Sequence, residues 1–182
     1  GYDQSPEAMA REVEPFMQDG LINVVGGCCG TTPEHIRLLA EAAGRHQPRV
    51  VGDHTLDLVC CGLDTLRVSD HLVPIGERTN VSGSGKFARL IRENDYEEAV
   101  HIALAQARAG ARMVDICMDD AMIDGKQAMV KFLRMLACEP EVARLPWVID
   151  SSNWEIIEAG LKCVPGKPIV NSISLKEGTQ DF

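Results

Sequence analysis

The chain has 182 residues, with 27 acidic and 18 basic side chains and a formal net charge of −9. This excess of acid argues against a nucleic acid partner, because a basic face is needed to neutralise phosphates. We expect a cytoplasmic protein with no membrane partner, because no apolar run reaches membrane-spanning length, residues 1–20 lack a signal-peptide pattern, and seven cysteines disfavour a secreted disulfide framework.

The first segment predicts a helix, a strand and a second helix. Ser5-Pro6-Glu7 is typical of a helix start, and Gly20 is typical of its end. The apolar run Leu21–Val25 predicts a short strand. Thr32-Pro33 then predicts the N-terminus of a helix that ends near residue 43. An α, β, α segment of this size is the closing part of a β/α fold rather than a whole domain.

Two adjacent cysteines, Cys28 and Cys29, lie between this strand and the second helix, framed by Gly26, Gly27 and Gly30. The glycines permit the backbone bend that would turn neighbouring side chains towards one ion. Thiolates are ligands that zinc prefers, and a β/α barrel places its chemistry after its strands. The pair therefore indicates either two ligands of a three-cysteine zinc site or two small buried thiols.

Residues 46–74 have a different character. The extended runs Leu56–Cys61 and Leu63–Val68 meet near Gly62, which predicts a linker followed by a short hairpin. Cys60-Cys61 is a second cysteine pair, but it lacks the glycine frame and the following helix. We interpret it as a pair of buried thiols rather than a metal site.

From residue 73 onwards, short apolar strands alternate with helices at a spacing of about 30 residues, which is typical of βαβ units and a parallel sheet. The predicted helices cover residues 86–92, 95–110, 124–138 and 153–161. The predicted strands are Val73–Ile75, Met113–Cys117, Trp147–Ile149 and Pro168–Val170. Four strands correspond to half of a (β/α)8 TIM barrel.

A polar side chain lies at or just after each predicted strand: Asn80, Asp115, Asp150 and Asn171. In a barrel these side chains converge on one mouth. Carboxylate and amide groups suit a neutral, flat, amide-like heterocycle, whereas a phosphate needs cations or a glycine nest. Each residue alone also fits a helix cap or a turn.

Two other motifs do not support a site. Gly83–Lys86 resembles the end of a P-loop, but Asn80 stands where its first glycine belongs and Phe87 stands where Ser or Thr belongs. Asp119-Asp120 and Asp124 suggest a hard-metal site, but loop solvation and an N-cap at Asp124 explain them more simply.

Together these motifs resemble the cobalamin-dependent methionine synthase family. Gly26–Ile36 is similar to the end of that family's homocysteine-binding barrel, and Ile75–Ser84 to the start of its folate-binding barrel. Met118–Asp120, Ile149–Asn153 and Ile169–Gly178 continue the match in order. The resemblance implies parts of two TIM barrels, divided as residues 1–47 (homocysteine-binding), 48–72 (linker and hairpin) and 73–182 (pterin-binding).

The resemblance also implies a function. The parent enzyme would transfer a methyl group from 5-methyltetrahydrofolate through cob(I)alamin to zinc-bound homocysteine, giving methionine and tetrahydrofolate. Cys28 and Cys29 would be two zinc ligands, with the third upstream. The folate site would be formed by Asn80, Gly83, Ser84, Gly85, Asp115, Asp150 and Asn171.

Two residues depart from the family pattern, Cys117 and Gly85, and a Gly at position 85 lacks the charged contact of the Arg that many relatives have there. Cys117 stands where the family has Asn, and a thiol cannot replace both functions of an amide. No cobalamin-ligand motif D-x-H-x-x-G occurs in the chain. We therefore expect cobalamin to bind a domain absent here, and the fragment alone to be inactive.

Two alternatives remain at this point. One is a stand-alone pterin-binding protein, related to folate:corrinoid methyltransferases or dihydropteroate synthase, which would have no need of the upstream cysteine pair. The other is a non-enzymatic zinc or redox module in which Cys28 and Cys29 form a switch. Zinc content under reducing conditions separates this module from the enzyme.

Overall fold

The computed structural model describes residues 4–52, 58–68, 71–175, 178–180 and 182. Residue contacts divide the chain into two compact units, Gly1–Thr55 and Leu56–Phe182. In the described residues, none of the helices combines the length and apolar character needed to cross a membrane.

The first unit is built on two packed helices, α1 (Pro6–Gln18) and α2 (Pro33–Ala43). Their contact buries Met17, Leu39 and Ala42. The predicted N-termini of both helices are confirmed. The Ser5 side chain accepts from the Ala8 N–H at 3.2 Å, and Thr32 is the N-cap of α2.

The predicted strand at Leu21–Val25 is wrong, because this stretch has no regular secondary structure. A strand needs a hydrogen-bonded neighbour. Within residues 4–52, the structure shows no strand that could pair with this one.

The second unit begins with an antiparallel hairpin of β1 (Leu58–Cys61) and β2 (Thr65–Val68). The first predicted run began at Leu56, and residues 56–57 lie outside the described part. Hydrogen bonds join the hairpin to the rest of the unit, from the Leu63 N–H to the Ala143 carbonyl at 2.9 Å and from the Asp64 N–H to the Arg144 carbonyl at 3.0 Å.

The remainder is a parallel sheet of four strands in the order β3-β4-β5-β6, with helices in the connections. This is the mixed α/β half-barrel that the alternating pattern predicted. In chain order the elements are β3 (Ile75–Asn80), α3 (Gly85–Arg92), α4 (Tyr96–Arg108), β4 (Met113–Cys117), α5 (Gly125–Leu136), α6 (Pro140–Ala143), β5 (Trp147–Asp150), α7 (Trp154–Leu161) and β6 (Ile169–Asn171).

The two faces of the sheet have separate cores. On the outer face, Val114, Ile116 and Ile149 pack in a large cluster with the helices. On the inner face, Met113 and Val148 pack with the hairpin residues Cys60 and Leu66. The hairpin therefore covers the amino-terminal end of the inner face and leaves the carboxyl end of the strands to the polar residues.

One strand differs from its predicted position. Val73–Ile75 was expected to be the first strand, but β3 comprises Ile75–Asn80, which includes the whole polar run from Gly76. Among the described strands, β3 lies at the edge of the sheet and pairs with β4. Edge strands tolerate polar residues because part of their surface faces water, so hydrophobicity was a poor guide here.

Candidate active site at the carboxyl ends of the strands

Four residues form a single row across the carboxyl ends of the four parallel strands. The register pairs Asn80 with Cys117, Cys117 with Asp150, and Asp150 with Asn171. Asp115 lies two residues before Cys117, so its side chain projects from the same face of β4, one layer deeper. The structure thus brings together the four predicted strand-end residues and adds Cys117.

Asn80 joins the two carboxylates of this site. Its side-chain Nδ2 donates to Asp115 Oδ2 at 3.0 Å and to Asp150 Oδ2 at 3.1 Å. Its Oδ1 accepts from the backbone N–H groups of Ser82 at 2.9 Å and Gly83 at 3.2 Å. An Asn side chain has two donor hydrogens and two acceptor lone pairs. These four bonds use all of them, so Asn80 holds the site together rather than offering free groups to a ligand.

The site is electrostatically acidic. Burial raises the pKa of Asp115, and the charges of Asp150 and Glu77 raise it further, against the hydrogen bond from Asn80. Burial also raises the pKa of Asp150, as does the charge of Asp119, whereas hydrogen bonds from Cys117 and Asn80 lower it. Both carboxyls therefore hold a proton more readily than an exposed Asp does.

Cys117 is a buried thiol inside this acidic cluster. Burial raises its pKa to about 12, with a smaller opposing effect from the Asp119 backbone N–H. The thiol hydrogen-bonds the Asp150 side chain. A neutral S–H thus retains the donor function of the amide that the resemblance leads one to expect, while the acceptor function of that amide is weakened.

The predicted loop Gly83–Gly85 lies directly after Asn80. Ser84 is the N-cap of α3, and its Oγ accepts from the Phe87 N–H at 3.3 Å. The Ser84 N–H donates to the Asn80 carbonyl at 2.9 Å. This loop therefore wraps around Asn80, and its own side chains serve the start of α3.

Asp119 was not among the predicted site residues, yet it holds the neighbouring loop. Its carboxylate accepts from Ser151 Oγ at 2.5 Å, from the Ser152 N–H at 2.7 Å and from Ser152 Oγ at 2.8 Å. These bonds tie the loop after β4 to the loop after β5. The adjacent Asp120 instead pairs with Arg92 on α3, and Asp124 caps α5, as predicted.

The first unit presents Cys28 and Cys29 in an exposed turn, with their Sγ atoms 3.8 Å apart. The Thr31 N–H closes this turn on the Cys28 carbonyl at 3.1 Å, and Gly30 adopts φ +84°. A Cβ at Gly27 would lie 2.0 Å from Thr31 Oγ1. Glycine is thus required on both sides of the pair for the two thiols to share one side. Within the described residues, no group of three or more His, Cys, Asp or Glu is placed to hold a metal.

The family model described as "Pterin binding enzyme" matches residues 76–182, which is more than half of the chain. The chain belongs to the pterin binding enzyme family. This family has the TIM-barrel fold, and the parallel sheet of the second unit is part of such a barrel.

A second family model, described as "Homocysteine S-methyltransferase", matches residues 1–43, so this pterin-binding chain also carries a homocysteine methyltransferase segment. The two matches stand in the order of a methionine synthase fragment that spans both domains. The resemblance identified from the sequence is confirmed, and the chain is of the folate and homocysteine methyltransferase type.

Proposed function

We propose that this chain is part of a cobalamin-dependent methionine synthase, in which the second unit binds 5-methyltetrahydrofolate and the first binds homocysteine. The observation that carries the proposal is the pair of carboxylates, Asp115 and Asp150, joined by one amide at the carboxyl ends of parallel strands. That is where a TIM barrel places its active site.

A pterin ring matches this arrangement chemically. Its amide-like edge presents adjacent N–H donors, which a carboxylate accepts as a pair. Asn171 lies beside Asp150 in the sheet register, and its amide supplies both a donor and an acceptor. We propose Asp115, Asp150 and Asn171 as the ring contacts. Asn80 and Gly83–Gly85 would shape the site around them.

The raised pKa values of Asp115 and Asp150 suit the chemistry as well as the binding. The N5 atom of the folate must gain a proton before it can release its methyl group. A carboxylate whose pKa is raised is a stronger base and hydrogen-bond acceptor than an exposed one, and its negative charge stabilises a proton on a neighbouring base. The two carboxyls therefore favour the protonated form of the bound pterin.

We propose Cys28 and Cys29 as two of three zinc ligands. Two thiolates on one tetrahedral zinc, each about 2.3 Å from the metal, lie about 3.8 Å apart, and the Sγ atoms of this pair are 3.8 Å apart. Bound zinc would hold the homocysteine sulfur as a thiolate, its nucleophilic form. The third ligand would come from the polypeptide upstream, and cobalamin from another domain of the same polypeptide.

The domain division accompanies this proposal. We assign residues 1–47 to the homocysteine domain, 48–72 to the linker and hairpin, and 73–182 to the pterin domain.

All seven cysteines are free thiols, which supports a reducing, cytoplasmic setting.

The decisive test is methyl transfer from 5-methyltetrahydrofolate to added cob(I)alamin, measured in the full natural polypeptide. Transfer supports the proposal and shows that the enzyme tolerates Cys117. Folate binding without transfer would indicate a pterin site that has lost its chemistry. If folate does not bind at all, the proposal is wrong for the second unit.

Zinc content tests the first unit separately. Under reducing conditions the full natural polypeptide should hold one zinc per chain, and Cys28→Ser or Cys29→Ser should release it. Cys138→Ser is a matched control, because Cys138 is also an exposed thiol. A protein without zinc, with Cys28 and Cys29 oxidising reversibly, would favour the redox module instead.

A further inference from the structure

The edge strand β3 contains one extra residue relative to its neighbour β4. Gly76 pairs with Val114 and Thr79 pairs with Ile116. Two residues of β3 therefore lie between these pairs, where β4 has one. This is a β-bulge at Glu77 and Arg78. Bulges commonly occur next to active sites, where they re-aim a side chain.

The bulge determines which way Asn80 points. In a regular strand, residues that are an even number apart lie on the same face. Asn80 would then share the outer face with Gly76, towards α4. The extra residue reverses this alternation, and Asn80 instead pairs with Cys117 on the inner face. Its bonds to Asp115 and Asp150 depend on that reversal.

Gln106, on the outer side of the sheet in α4, contacts the bulge along its length. Its Oε1 accepts from the Arg78 backbone N–H at 2.6 Å, and its Nε2 lies 3.4 Å from Thr79 Oγ1 as donor. It also fills the space beside Gly76, where a Cβ would lie 2.6 Å from Gln106 Oε1. The Thr79 hydroxyl in turn donates to the Asp115 carbonyl at 2.5 Å.

We infer that Gln106 is a positioning residue for the pterin site: by satisfying the bulged Arg78 amide, it holds Asn80 on the inner face. The expected effect of Gln106 on folate affinity rests on the proposed function. The link from Gln106 to Asn80 can be tested without any ligand. Gln106 acts through Asn80 and does not touch the site, so its effect must appear in the two carboxyls that Asn80 bonds.

The test is a carbon-13 NMR titration of the Asp115 and Asp150 carboxyls in the ligand-free full natural polypeptide. Gln106→Met keeps the length of the side chain but removes both hydrogen bonds. It should raise the pKa of both carboxyls, as Asn80→Ala does, because the lowering effect of the Asn80 amide is lost. The other charges near these carboxyls, Glu77 and Asp119, are unchanged in every variant.

Two control variants separate positioning from general stability. Gln106→Glu keeps the acceptor for the Arg78 N–H, so the Arg78 amide should stay protected from hydrogen exchange. Its added negative charge itself raises the pKa of nearby carboxyls, so this variant is assessed by exchange and not by titration. His101→Ala changes an exposed side chain on the same helix (69% exposed) and should leave both pKa values unchanged. In the double variant Gln106→Met with Asn80→Ala, the pKa values of the two carboxyls should equal those of Asn80→Ala alone. Both substitutions remove the same interaction, the hydrogen bonds from Asn80 to the carboxyls.

Folate affinity provides the second readout. Gln106→Met should weaken 5-methyltetrahydrofolate binding by about tenfold, which corresponds to the loss of roughly one hydrogen bond, and Gln106→Glu, which keeps the contact with the Arg78 N–H, should weaken it less. Unchanged carboxyl pKa values in a folded Gln106→Met variant would overturn the inference. If wild-type protein binds no folate but the titration behaves as expected, the proposed function fails and the inference about Gln106 stands.

Amide hydrogen exchange of Arg78 in the wild-type protein keeps the inference falsifiable if Gln106→Met does not fold. The Arg78 N–H should be protected, because Gln106 Oε1 accepts it at 2.6 Å. Exchange as fast as that of an open strand edge would show that Gln106 does not hold the bulge.

Discussion

Asp119 accepts two hydrogen bonds from Ser152, at 2.7 Å from its backbone N–H and at 2.8 Å from its hydroxyl. This contact joins residues 33 positions apart and fixes the loop that directly follows Asp150. The position of the Asp150 carboxylate therefore depends on a residue of the neighbouring βα unit.

Replacing Asp119 should weaken folate binding without removing any group that contacts the ligand. Hydrogen bonds to a charged acceptor contribute about 1.5–3 kcal/mol each, and part of this stabilisation orders the loop. We expect Asp119→Ala to lower the affinity for 5-methyltetrahydrofolate by roughly tenfold, measured by calorimetry. Asp120→Asn is the matched control, because Asp120 pairs with Arg92 instead. Equal affinity losses in both variants would contradict a specific role for Asp119.

Asp150→Asn should separate stability from binding. Burial raises the folded-state pKa of Asp150 above 3.8, so the folded state binds the proton more tightly than the unfolded state does. Ionisation of Asp150 therefore costs folding free energy as the pH rises from the unfolded pKa through the folded pKa. The variant should melt at a higher temperature than the wild type at pH 7, but show no gain near pH 3, where Asp150 is protonated in both states.

The same substitution should reduce folate affinity, since it removes a charged acceptor worth about 1.5–3 kcal/mol, or roughly 10- to 100-fold in affinity. Thermal melts at both pH values and a binding titration check the two halves of the prediction. A lower melting temperature at pH 7 would show that the carboxylate is stabilised by its hydrogen bonds more than it is penalised by burial.

Cys117 should be chemically inert in the folded protein. Its pKa is raised to about 12, so almost none of it is thiolate at pH 8, and its side chain is buried. Thiol alkylation requires an exposed thiolate. We expect iodoacetamide at pH 8, after removal of any bound zinc with a chelator, to label the exposed Cys28, Cys29 and Cys138 and to spare Cys117 until the protein is unfolded, as read by peptide mass spectrometry. Rapid labelling of Cys117 in the native state would contradict its burial.

Every helix except the short α6, and three of the four parallel strands, could be predicted from the sequence, because local signals determine them. Apolar strands such as Met113–Cys117 alternate with capped helices, and the caps at Ser5 and Asp124 are found where the sequence placed them. The convergence of Asp115 and Asp150 followed from the parallel topology alone.

The features that were missed depend on distant partners. The bulge at Glu77 and Arg78 has no local signal, because its stabilising partner Gln106 lies 28 residues away from Arg78. The strand expected at Leu21–Val25 has no neighbour to pair with in the described part of the chain. Cys117 was recognisable, since a residue two positions after Asp115 must share its face. In the sequence, Asp119 is recognisable only as part of an acidic pair with Asp120 in a loop. Its hydrogen bonds to Ser151 and Ser152 could not be inferred from the sequence.

The hairpin, which the sequence suggested was next to a linker, packs closely against the segment that precedes β5. A Cβ at Gly62 would lie 2.2 Å from the Leu145 carbonyl oxygen and 2.4 Å from that of Ala143. These are backbone atoms, so they cannot move aside as a side chain would. Gly62→Ala should therefore separate the hairpin from the loop before β5 and disturb the inner core around Cys60 and Val148.

We expect Gly62→Ala to lower the free energy of unfolding by about 1–3 kcal/mol, the usual cost of overpacking, measured by urea denaturation. Gly26→Ala is the matched control, because no atom lies within 4 Å of a Cβ at Gly26 and its φ is not in the left-handed region. If both variants unfold at the wild-type urea concentration, the hairpin is a passive linker. If only Gly62→Ala is destabilised, the hairpin is a structural part of the pterin-binding unit, closing the amino-terminal end of the sheet below the folate site.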